Sequence, residues 1–161
     1  MIRRLFLAGV GLVGFAVAAA AQEAAGPSAP SPFIEVIPTE GRAPVELVAA
    51  QVVRVARVEN YTVIDTTAWV QQRTIEPVDS VARRLIAAGQ RLVPLTDLSG
   101  ARIYLAADRV VLVRDAQERY ANGARTAIVM VGLRLTTDIA VRESVEEVMA
   151  ALRRASAGNG G

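Results

Sequence analysis

Apolar residues in this chain fall into short runs, and the spacing within the runs changes along the sequence. Ile128 and Met130, then Ile139 and Val141, recur at every second position, the period of a strand with one buried face. Val145, Val148, Met149 and Leu152 recur at threes and fours, the period of a helix with one apolar stripe. Ser144-Val145-Glu146-Glu147 opens that helix as a capping box: the serine hydroxyl accepts from the Glu147 amide, and the glutamate reaches back to the Ser144 amide. Arg153 and Arg154 suit the negative end of its dipole. Read this way from residue 33, the pattern predicts strands over 33–37, 45–47 and 52–55, a hairpin over 61–78, and a helix capped by Ser80. Strands over 91–95, 103–105 and 110–113, a hairpin over 126–141 and the capped helix follow.

The second series repeats the first. Residues 45–55 align with 103–113 at an offset of 58, with Gly41 and Gly100 just upstream in turns that favour a positive φ. Residues 62–85 align without gaps with 126–149 at an offset of 64, setting Asp79-Ser80-Val81 on Glu143-Ser144-Val145. The six-residue difference is assigned to a longer loop over 119–124. In the first helix Val81 and Leu85 then face inward and Gly89 follows its end. A unit of roughly 55 to 65 residues buries too little surface to stand alone, and the connector 88–91 is short. The expected fold is therefore α+β, mainly β. Two tandem copies of a small antiparallel sheet or barrel unit (33–89 and 90–155), each ending in a helix, pack face to face as one pseudo-symmetric body, with a disordered tail over 156–161.

Composition then narrows the setting. Hydrophobic residues make up 52% of the chain but aromatics only 4%, so Val, Leu, Ile and Ala must build the core. All 18 basic residues are Arg, and there is no Lys, His or Cys. Arg3 and Arg4 account for the whole +2 charge; beyond residue 21 bases and acids balance. A neutral body has no net field to draw in nucleic acid or anionic lipid.

The first residues read as a secretory leader. Arg3 and Arg4 precede residues 5–21, seventeen positions without a charge, and Ala19-Ala20-Ala21 supplies a small-x-small cleavage site before Gln22. An uncleaved anchor is the rival, because seventeen residues sit at the short end of the spanning range. Arg3-Arg4-Leu5-Phe6-Leu7 resembles a twin-arginine core without its flanking polar residue and Lys. Gly9-Val10-Gly11-Leu12-Val13-Gly14 matches the dinucleotide fingerprint formally, but it follows no strand and lies inside the apolar leader, so it has no scaffold. Residues 22–32, rich in Ala, Pro and Ser, read as a linker. The protein is expected to be exported, periplasmic or secreted.

A family resemblance is carried by the second unit. Leu95-Thr96-Asp97-Leu98-Ser99-Gly100, Ile103-Tyr104-Leu105-Ala106-Ala107-Asp108-Arg109-Val110, Thr126-Ala127-Ile128 and Val141-Arg142-Glu143-Ser144-Val145-Glu146-Glu147-Val148 resemble the short FlbD/SwrD-type flagellar and swarming-motility proteins. The likeness covers about 60 residues and, more faintly, the first unit. It implies a non-enzymatic accessory of the flagellar apparatus, with no ligand residues to carry over. This chain departs from that family by its duplication, its leader and the absence of the family's Asn-Gly hairpin turn close before Glu143, where Gly132 instead sits eleven residues upstream.

Catalytic chemistry has little to work with. Without His or Cys there is no Ser-His-Asp triad, thiolate or zinc-bound water, and without Lys no Schiff base. Paired carboxylates remain, but Asp97, Asp108, Asp115 and Glu118 lie at turns and strand ends, where solvated acids are ordinary. No catalytic residue, metal site or cofactor is expected. The candidate binding residues are Tyr61 and Trp69, flat aromatics suited to a sugar or peptide, and Arg114, Arg119, Tyr120 and Arg125 around the long loop. The leading expectation is a non-catalytic module that binds a protein or envelope component through its sheet edges. The second is a glycan- or nucleic-acid-binding protein, with charge balance arguing against nucleic acid. Membrane contact is expected only through an uncleaved leader, and the oligomeric state is left open.

Overall fold

The computed structural model describes residues 31–134 and 138–158. The expected leader, the linker up to residue 30 and the last three residues of the expected tail lie outside the described residues. The chain is an α+β fold, mainly antiparallel β, in which one sequence of elements occurs twice. The first unit holds β1 (Phe33–Val36), β2 (Val45–Val48), β3 (Val52–Val58), β4 (Tyr61–Thr66), β5 (Gln71–Thr74) and α1 (Val78–Ala87). The second holds β6 (Leu92–Thr96), β7 (Arg102–Ala106), β8 (Val110–Asp115), β9 (Thr126–Met130), β10 (Asp138–Val141) and α2 (Val145–Ala157). A single 3-10 turn joins β2 to β3 and β7 to β8. Equivalent hydrogen bonds recur: Ala49 N to the Pro32 carbonyl and Ala107 N to that of Arg91, each at 2.8–2.9 Å.

The strands form three sheets. β1 pairs with β2, β10-β9-β8 form a three-stranded sheet, and β5-β4-β3-β7-β6 form a five-stranded sheet that belongs to both units. The units are joined where β3 meets β7 antiparallel, Arg54 opposite Leu105 and Val55 opposite Tyr104. Alternation along these strands sends side chains to opposite faces. Val52 and Val55 of β3, Leu92 and Ala106 join Ile34, Val36 and the α1 residues Val81 and Leu85 in one core. Val53 and Ala56 of β3, Val93 and Leu105 join Ile128, Met130, Val141 and the α2 residue Val148 in the other. The central sheet therefore lies between two apolar cores. β1-β2 with α1 covers one face, and β8-β10 with α2 covers the other. Each fully buried Leu or Ile here contributes roughly 1.5–3 kcal/mol of transfer free energy.

The end of α1 and the start of α2 are explained by local sequence. α1 stops in a Schellman motif: Gly89 at φ +90 lets its own amide reach the Ile86 carbonyl and the Gln90 amide reach that of Leu85. α2 starts with the expected box, Glu147 N donating to Ser144 Oγ at 3.3 Å and Ser144 N to Glu147 Oε2 at 2.7 Å.

Four expectations need correction. The offset of 64 holds from β4 to β9 but becomes 67 beyond, because Thr62 pairs with Thr74 while Thr126 pairs with Val141. The cause is the connection 131–137, which is longer than its counterpart 67–70. Ser80 is therefore not the cap of α1. It lies inside the helix, the N-cap is Pro77, and no side chain caps it. Met149 does not belong to the buried stripe of α2; it is 36% exposed, and Ala151, Leu152 and Ala155 continue the stripe from Val148. Finally, α2 runs to Ala157, two residues into the segment read as a tail.

Candidate functional site

Trp69 sits in the turn between β4 and β5 with 63% of its surface exposed. Its backbone lies in the left-handed region at φ +62, where a bulky side chain is strained by about 1–3 kcal/mol. Thr66 imposes this geometry from both sides. Its amide donates to the Val70 carbonyl at 3.1 Å, its hydroxyl to the same oxygen at 2.9 Å, and its own carbonyl accepts from the Trp69 amide at 2.9 Å. The indole is thus held outward rather than folded into the core.

Beneath it opens a cleft of about 540 Å³. Its walls come from the β1–β2 connection, from β5 and from the β9–β10 connection: Arg42, Val70, Gln71, Gln72, Arg73 and Arg134 beside Trp69, with Glu40 as the acidic member. Arg42 pairs with Glu40 at 2.6 Å, both largely exposed. Arg73 lies over the Tyr61 ring at 4.9 Å. The lining therefore carries three guanidiniums against one carboxylate, in a body of balanced charge. The strand β5 explains the polarity, since Gln71-Gln72-Arg73 occupy an edge whose far side, among the described residues, meets only residues 38–39.

The other expected residues are placed differently. Tyr61 begins β4 and Trp69 follows its end, so the two do not form one platform; Tyr61 reaches the cleft only through Arg73. Arg114, Arg119 and Tyr120 gather on Asp138: Arg119 donates to Asp138 Oδ2 at 2.7 Å, Arg114 at 3.4 Å, and the Tyr120 hydroxyl donates to the same oxygen. Arg119 also stacks on Tyr120 at 5.0 Å. Arg125 turns away to Glu147 at 3.4 Å. The long loop is thus tied down by acids of β10 and α2, and its cations do not form an open basic patch.

Acidic groups elsewhere have structural partners. Asp97 accepts from the Ala101 amide at 2.9 Å and the Ser99 hydroxyl at 2.6 Å, closing the β6–β7 turn. Asp65, 4% exposed, accepts from Arg54 at 2.5 Å and Gln71 at 2.6 Å, so a partly buried ion pair anchors the foot of the cleft strand. Partial burial raises the Glu76 carboxyl, but Arg84, the Ile37 amide and Thr74 outweigh it and hold the group below its ordinary range. Burial pushes the Tyr104 hydroxyl up, and its bond to Asp79 at 2.8 Å adds to this. Among the described residues no cluster of three or more carboxylates has metal-binding geometry.

Of the residues lining this cleft, Trp69 is among the sequence candidates, while Arg42, Arg73, Arg134, Gln71 and Gln72 are not. Only the run Gln71-Gln72-Arg73, too polar for a buried strand, points to an exposed edge. Arg42 and Arg134 lie far away in sequence and meet it only through the fold.

No family model and no curated protein matches the chain. Among solved structures it is similar to the LytTr DNA-binding domain of a methyl-accepting/DNA response regulator from Bacillus cereus, with 7% identity and a TM-score of 0.50. The match covers 79% of this chain and 98% of that one. At this identity the likeness concerns the fold alone: a mainly β, α+β architecture. Among the described residues no helix is long and apolar enough to cross a membrane.

Proposed function

We propose that this protein is an exported, non-catalytic binding module of the cell envelope, and that the cleft beneath Trp69 takes an acidic saccharide. The observation that carries this reading is the outward Trp69, held in a strained backbone above three guanidiniums and two glutamine amides. Strain that persists in a folded protein points to function. A flat indole matches the apolar face of a sugar ring, amides match hydroxyls, and guanidinium forks match carboxylate or sulfate. The leader supports export, and the residue types absent from the chain argue against catalysis. The motility resemblance is compatible with an envelope accessory and adds no ligand.

A second reading is single-stranded nucleic acid, favoured by the structural neighbour being named a DNA-binding domain. It would use the same indole for stacking. One titration separates the two, because the chain has a single Trp. With residues 22–161, an acidic oligosaccharide is expected to shift Trp69 emission saturably, while its neutral counterpart does so weakly. Replacing Arg42 or Arg134 by Ala is expected to weaken binding about tenfold or more, the weight of a charge-assisted hydrogen bond. Silence towards the saccharide with a salt-dependent response to single-stranded DNA would favour the second reading. Silence towards both would remove the cleft as a site.

A further inference from the structure

The joint between the two units is one-sided. The first unit offers β3 and the second offers β7 with its neighbour β6. Their contact leaves Val53 at 0%, Leu92 at 6% and Ala106 at 0% exposure. The equivalents of these residues at the two ends of the molecule are bare. Val111 stands in β8 where Val53 stands in β3, and it is 58% exposed. Phe33 and Val48 face each other across β1-β2 as Leu92 and Ala106 do across β6-β7, and they are 51% and 40% exposed. Among the described residues β8 is paired only with β9, and β2 only with β1.

The end sheets are the two halves of the central one. β5-β4-β3 is the counterpart of β10-β9-β8, and β7-β6 is the counterpart of β2-β1. We infer that copies of this chain join head to tail, the β8 edge of one molecule pairing with the β2 edge of the next to complete a five-stranded sheet. The contact inside the chain supplies the register, Arg54 opposite Leu105 and Val55 opposite Tyr104. Its equivalent sets Leu112 opposite Leu47 and Val113 opposite Glu46 of the neighbouring copy, with Val111 meeting Val48. No like charges face each other in this arrangement. A second copy is the occupant because the missing surface is one that this chain already makes and already buries once. Two different patches meet, so the contact is heterologous and propagates into a ring or an open filament instead of closing as a two-fold dimer. Unpaired strand edges are the usual route to such addition. The inference does not depend on the Trp69 cleft.

Sedimentation velocity on residues 22–161, which include every described residue, tests it. The sedimentation coefficient is expected to rise with concentration from micromolar to millimolar. Val111→Arg and Val48→Arg are each expected to stay monomeric, with unchanged thermal melts because both side chains are exposed. Mixed in equal amounts, the two variants each retain one intact end and are expected to give a 1:1 dimer that grows no further. A wild-type chain that remains monomeric throughout overturns the inference. So does self-association by Val48→Arg alone, which would mean β8 pairing with β8. Because the chain has no Cys, a chain carrying both V48C and V111C gives a second readout: mild oxidation is expected to yield a ladder of cross-linked multimers, and its absence also counts against the proposal.

Discussion

The two units share a fold but not a situation. In the first, the outer edge of β3 is closed by β7, and Val53 is completely buried. In the second, the equivalent edge of β8 has no partner strand among the described residues, and Val111 is 58% exposed. Their helices differ too. α2 begins with a reciprocal serine–glutamate cap, whereas α1 begins at Pro77 with no side-chain cap. α1 is instead held by burial, with Val78, Val81, Ala82 and Leu85 all in the core, against Val148 and Ala151 in α2. One sequence plan thus reaches stability by two routes: the first unit leans on packing against its neighbour, and the second on local capping.

The largest effect is expected at the junction. Gly132 lies at φ +90, and a Cβ there would meet Val53 Cγ2 at 2.8 Å and the Thr67 backbone at 3.4 Å. Gly132→Val combines overpacking and backbone strain, each about 1–3 kcal/mol. Gly123→Val, at φ +94 in open space, carries only the strain. Urea melts should therefore rank Gly132→Val well below Gly123→Val; equal losses would mean that the junction is not packed as described.

Next comes the pair that defines the contrast between the units. Val53→Ala is expected to cost about 1.5–3 kcal/mol, the value of a buried valine with its cavity. Val111→Ala is expected to stay within about 0.5 kcal/mol under dilute conditions, as an exposed substitution does. Similar costs at the two positions would erase the distinction between closed and open edges.

The helix starts give a smaller difference. Ser144→Ala should cost about 1 kcal/mol through the lost cap, while Ser80→Ala should change stability by less than about 0.5 kcal/mol. The reverse order would restore the alignment that places Ser80 at the cap.

The smallest effect is in pH. The Ser144 amide and hydroxyl hold the Glu147 carboxyl below its ordinary range, with Arg125 adding to this. A carboxyl lowered in the folded state contributes stability that is complete above its unfolded pKa and is lost as pH falls through the folded value. The deficit of Ser144→Ala relative to wild type should therefore narrow between neutral and strongly acidic pH. A constant or widening deficit would mean that Glu147 takes no part in the cap.

Much of this architecture was legible in the sequence because it rests on local rules. Period-two alternation marked β9 and β10, the Ser-x-x-Glu spacing marked the start of α2, and positive-φ glycines marked the turns at Gly41 and Gly100. The errors arose where length in one connection was traded for register elsewhere. An offset of 64 sets Ser80-Val81 on Ser144-Val145, whereas 67 sets Pro77-Val78 there, and residue identity alone favours the first. The shared central sheet was hidden for another reason. Val52 and Val53 are adjacent valines in one strand, and only the fold assigns them to different cores. The cleft was less legible still. Arg42 and Arg134 come from two connections and Arg73 from β5, three stretches far apart in sequence, and the Thr66 hydrogen bonds that turn Trp69 outward exist only in the folded chain.

Amide hydrogen exchange on residues 22–161 at low and high protein concentration tests the central claim most directly. At both concentrations the β3 and β7 amides that meet across the joint should exchange slowly. The outward amides of β8 and β2 should exchange quickly when dilute and become protected when concentrated. Slow exchange of β8 in dilute solution, or rapid exchange of β3, would contradict a molecule built from two equivalent units with one edge closed and the other left open.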